Sequence, residues 1–104
     1  MKDNIKVLIK RPGEKWEEQT IPNTLRALQE IVDGYIETVT LTANMVAICN
    51  EEGQIRGMKP RCKIVNIDFV GPVILAGRDG EDFTDCPVPL TVLEPKSSKL
   101  KIRL

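Results

Sequence analysis

Histidine is missing from this 104-residue chain. Without imidazole there is no general base for a serine or cysteine triad of the usual form. Aromatic residues are nearly as scarce, being limited to Trp16, Tyr35, Phe69 and Phe83, so the core has to be built from Ile, Val and Leu. Net charge is also lacking: 15 basic and 15 acidic residues cancel. That argues against a general nucleic-acid binder, which carries a positive field, and against an acidic mimic of DNA. The three cysteines, Cys49, Cys62 and Cys86, show no CxxC spacing. A zinc site would need all three thiolates and a carboxylate, a poor match to the usual ligand sets. The plainer expectation is reduced thiols, two of them packed as small hydrophobes. No apolar run approaches the roughly 20 residues that cross a bilayer, and Met-Lys-Asp-Asn-Ile-Lys opens a strand rather than a signal peptide. The expectation from these features is a cytoplasmic protein with one domain spanning residues 1–104.

What is present starts with residues 23–37, the strongest helix signal in the chain. Leu25, Leu28, Ile31 and Val32 recur at spacings of three and four and form one apolar stripe. Asn23 or Thr24 can cap its start, and Gly34 suits the left-handed residue past its end. Arg26 and Glu30, four apart, can support each other on the exposed side. Before the helix, Ile5–Lys10 alternates, Pro12-Gly13 supplies turn chemistry, and Trp16–Ile21 returns as a strand up to Pro22. After it, Tyr35–Thr42 is β-branched and alternating, Ala43-Asn44 is a tight turn, and Met45–Cys49 is a mostly apolar strand. Asn50-Glu51-Glu52-Gly53 closes that strand. Residues 54–62 read as an irregular connection with one helical turn near Ile55–Met58.

Lys63–Ala76 is a long apolar run broken by Gly71-Pro72, where a strand must bend, bulge or lie at an edge. Asp79-Gly80 is a turn, and Pro87 and Pro89 mark an extended loop. Lys99–Leu104 alternates Leu100, Ile102 and Leu104 with Lys99, Lys101 and Arg103, as a last strand would. The whole predicts an α+β domain: one main helix packed on a mixed or antiparallel sheet, in the order β-β-α-β-β-β, β-grasp-like.

Chemistry-bearing groups are few. Gly77-Arg78-Asp79-Gly80 has neither Walker spacing nor a following helix. Asp79, Glu81 and Asp82 could present oxygen ligands to a hard cation, which would suit metal-assisted hydrolysis; a solvated turn with Asp79-Gly80 at its apex is the plainer reading. Arg56, Lys59, Arg61 and Lys63 form a basic cluster able to hold a phosphate or carboxylate, and Asn50, Arg56 and Arg61 are the candidate contacts to a small anion. The plain alternative is a loop kept soluble by charge. Lys99, Lys101 and Arg103 lack interleaved aromatics for base stacking.

Four stretches stand in a familiar order: Asn-Thr-Leu-Arg-Ala-Leu-Gln-Glu-Ile-Val-Asp-Gly-Tyr-Ile-Glu (23–37), Ile-Cys-Asn-Glu-Glu-Gly (48–53), Gly71-Pro72 and Asp79-Gly80-Glu81-Asp82-Phe83. Together, over about residues 5–83, they resemble a domain-of-unknown-function family carried by bacteriophages, plasmids and conjugative elements. Residues 84–104 depart from it. The resemblance implies an accessory protein of mobile DNA with no catalytic residue or cofactor to carry over. The expectation is a non-enzymatic binding module that occupies a host protein or sequesters a small anionic ligand in the host cytoplasm. A metal-assisted hydrolase and a domain that oligomerises through a strand edge are the alternatives.

Overall fold

The computed structural model describes residues 3–11, 14–52, 61–64 and 67–93. Two hairpins supply the outer strands of the main sheet. The first joins β1 (Asn4–Lys10) to β2 (Glu17–Pro22), with Ile5 opposite Ile21 and Val7 opposite Gln19. The second joins β3 (Ile36–Thr42) to β4 (Met45–Asn50) across the two-residue turn Ala43-Asn44. The helix α1 (Leu25–Val32) connects the two hairpins. A short pair, β5 (Arg61–Ile64) and β6 (Ile67–Val70), forms a separate two-stranded sheet. The chain then enters β7 (Val73–Asp79), which fills the gap between the hairpins and turns back into β8 (Asp82–Thr84).

The resulting order is β2-β1-β7-β4-β3 with β8 attached to β7, and every pairing is antiparallel. Of the two sheet types expected, the antiparallel one is realised. Because β2 and β3 lie at opposite edges, α1 has to cross one face of the sheet to join them. That face carries Ile5, Val7, Ile9, Ile21, Val46, Ile48, Ile74 and Ala76, against which Leu28 and Val32 are buried. The opposite face, with Leu8, Met45, Ala47, Cys49, Val73 and Leu75, is also buried; Trp16, Cys86, Val88 and Leu90 pack against it. Central strands covered on both sides need apolar residues at every position, which is why β4 and the first half of β7 show no alternation in burial.

Several local expectations are corrected. The helix is two turns long and stops at Val32, short of the strand expected from Tyr35. Thr24 is its N-cap, with its Oγ1 accepting from the Ala27 N–H at 3.1 Å, while the Asn23 amide donates to the Phe83 carbonyl at 3.2 Å. The left-handed residue at its end is Asp33 (φ 62°), not Gly34. Both the Asp33 and Gly34 N–H groups donate to the Gln29 carbonyl, so the chain must turn one residue earlier than the glycine suggests. Leu25 belongs to the periodic stripe yet is 57% exposed. It begins the helix, and the packed part of the stripe is Leu28, Ile31 and Val32.

The apolar run 63–76 is not one bent strand but three, divided between two sheets. Gly71 adopts φ 80° and Pro72 offers no N–H, so the ladder ends there and restarts in β7. The loop around Pro87 and Pro89 stands as expected and is followed by a 3-10 turn at Leu90–Leu93. Pro12-Gly13, the suggested helical turn at Ile55–Met58 and the Lys99–Leu104 strand lie outside the described residues.

Beyond Leu75, β7 parts from β1 and pairs with β8, and the residues after β8 take its place beside β1. The Asp85 carboxylate accepts from the Lys6 N–H at 2.8 Å, and the Cys86 N–H donates to the Lys6 carbonyl at 2.7 Å. Space in this wedge is so tight that a Cβ on Gly77 would lie 2.1 Å from the Asp85 carbonyl oxygen. Glycine is required here by close approach.

Candidate functional site

Asn50, one of the three candidate anion contacts, is buried at the end of β4. Its amide donates to the Val32 and Asp33 carbonyls, both at 3.0 Å, and its Oδ1 accepts from the Glu52 N–H at 2.7 Å. Both donors are therefore engaged in tying the helix end to the sheet, and only one lone pair stays open. Arg56 lies outside the described residues, and Arg61 begins β5.

Asp79, Glu81 and Asp82 are all exposed around the β7–β8 turn, whose Gly80 takes φ 64°. Asp79 and Asp82 face each other in register. Among the described residues, no three Asp, Glu or Cys side chains form a group able to hold a metal.

Two cysteines behave as small hydrophobes. Cys49 and Cys86 are free thiols buried in the sheet face opposite the helix. Burial, reinforced by the neighbouring Glu37 carboxylate, pushes the Cys49 thiol up to about 11. Burial also raises Cys86, partly opposed by hydrogen bonding to the Val88 backbone and by Lys6. Neither is set up as a thiolate nucleophile, which needs the opposite shift.

The feature with recognition capacity is backbone, and it lies at the β3 edge. The Tyr35 carbonyl accepts from the Glu51 N–H at 3.0 Å, so residue 35 directs its peptide groups toward β4. Antiparallel alternation then turns Glu37 and Val39 toward Cys49 and Ala47 on β4. Ile36, Thr38 and Thr40 direct their N–H and C=O groups the other way. No described strand pairs with that side.

Natural sheets blunt such edges with charge, proline or bulges. The opposite edge, β2, follows that rule with Glu17, Glu18 and the terminal Pro22, and with an Arg11–Glu17 ion pair. In β3 the sequence Ile-Glu-Thr-Val-Thr-Leu-Thr holds one charge and no proline. Its only irregularity is the register shift between Thr40 and Thr42. The signal was legible as a β-branched run, but its place at an edge depends on β7 inserting elsewhere. Beside it, Tyr35 is 69% exposed.

No helix among the described residues is long and apolar enough to cross a membrane. Comparison with curated proteins and with solved structures found no match. A family model does match, the domain of unknown function DUF3846, over residues 5–91. The matched stretch takes in both hairpins, the helix, the central strand β7 and the wedge after β8. By that match the chain belongs to the DUF3846 family.

Proposed function

We propose that this protein is a binding module that recognises an extended segment of a partner protein by adding it as a further strand to β3. It serves a mobile genetic element and acts in the cytoplasm of the host, where it occupies a host protein. The observation that carries the reading is the edge of β3 that no described strand covers, whose outward peptide groups at Ile36, Thr38 and Thr40 are a template for a strand. The mobile-element setting rests on the resemblance of residues 23–37, 48–53, 71–72 and 79–83 to proteins of such elements.

Thr38→Pro is the discriminating variant. Its N–H points away from β4, so proline there leaves the β3–β4 ladder intact while removing the central outward donor. Wild-type protein should capture a defined host protein, and Thr38→Pro should lose at least about tenfold in affinity while its melting temperature stays close to wild type. Equal capture by both forms would overturn the reading.

A further inference from the structure

We infer that the partner strand for β3 is basic. This inference rests on the strand-addition reading and names the chemistry that would occupy the edge. Although the chain as a whole is neutral, no Lys or Arg occurs between Arg26 and Arg56. The helix end, β3 and β4 all fall in that interval. Where β3 begins, Glu37 is exposed, and Glu51 and Glu52 are exposed where β4 ends opposite it. At the far end, the Arg78 N–H donates to the Asn44 carbonyl at 3.0 Å, which brings the β7–β8 turn beside the β3–β4 turn. That turn presents Asp79, Glu81 and Asp82.

The one described cation here is Arg78. Its guanidinium is engaged by the Thr40 hydroxyl oxygen at 3.0 Å and by the Gly80 carbonyl at 2.9 Å. The open edge is therefore a hydrogen-bonding strip with carboxylates where β3 begins, while the Arg78 guanidinium lies against Thr40 near its other end. An alternating peptide with Lys or Arg toward the Glu37 end meets both properties: its backbone completes the ladder and its charge complements Glu37, Glu51 and Glu52.

The test uses full-length protein and three synthetic six-residue peptides of equal length, alternating Val with Lys, Thr or Glu. Binding is followed by amide hydrogen exchange at Ile36, Thr38 and Thr40, with Glu37 and Val39 as internal controls. The Lys peptide should slow exchange at the three outward amides at least about tenfold and bind at least about tenfold more tightly than the Glu peptide. Replacing Glu37, Glu51 and Glu52 together by Gln should remove most of that difference, and added salt should weaken the Lys peptide selectively. Equal binding of the Thr and Lys peptides would overturn the basic partner while leaving strand addition standing. Failure of all three peptides, with the outward amides exchanging freely, would remove both. Outward amides already protected in the free protein would mean that the edge is filled by the chain's own basic tail or by a second copy, which also overturns the inference.

Discussion

Asn50 shows how much a single buried side chain can decide. Three hydrogen bonds connect it to the helix end and to the turn after β4. Replacing it with Leu leaves those backbone groups without partners in a buried place, which costs about 1–3 kcal/mol per group left unsatisfied. Asn50→Leu should therefore lower the urea midpoint sharply. In the sequence, Asn50-Glu51-Glu52-Gly53 reads as an exposed turn, and only the fold shows the amide turned inward under Asp33. Cys49 makes a prediction of a different kind. Its thiol is raised to about 11 against an ordinary 9.0, so between those values the unfolded chain releases a proton that the folded chain keeps. Stability is complete below pH 9 and falls as pH rises toward 11, by about 2–3 kcal/mol for this group. Denaturant titrations from pH 8 to 11 should show that decline, and Cys49→Ala should make it shallower. Cys86 is shifted in the same direction, so part of the slope should remain.

At the level of elements, the helix illustrates what periodicity can and cannot say. The spacing of Leu25, Leu28, Ile31 and Val32 identifies a helix with one apolar face, but the area of that face in contact depends on where the sheet ends. Leu28 is 1% exposed whereas Leu25 is 57% exposed. Leu28→Ala should cost about 2–5 kcal/mol through lost contacts and the cavity left behind. Leu25→Ala should change stability by less than about 0.5 kcal/mol. Thermal or chemical unfolding of the two variants side by side checks the pair. The Arg26–Glu30 pair, expected from its spacing, is present at 3.6 Å on exposed surface; pairs of that kind contribute little.

For the whole molecule, the decisive arrangement is the insertion of β7 between two hairpins that precede it in the chain. Contacts of such long sequence separation join the first strand to residues near 75 and 85. Gly77 sits where β7 changes neighbours from β1 to β8, against the Asp85 backbone. Since the obstacle is main chain rather than a flexible side chain, Gly77→Ala should destabilise by about 1–3 kcal/mol or more. Its amide exchange should rise in β8 and at Lys6 before it rises in the β3–β4 hairpin. Uniform acceleration over all strands would show that the wedge is not a separate weak point.

The sequence alone determined the two hairpins, the helix between them, the antiparallel or mixed α+β class and the role of two cysteines as core residues, because each follows from local periodicity, turn chemistry or composition. It could not determine which strands became edges. Val39, Thr40 and Val46 are all β-branched and carry much the same local preference, yet β4 is buried on both sides and β3 is paired on one side only among the described residues. Strand order is set by distant pairing and by burial of whole faces, quantities to which no short window of residues has access. Only the tertiary structure placed the outward peptide groups of Ile36, Thr38 and Thr40 beyond the last described strand.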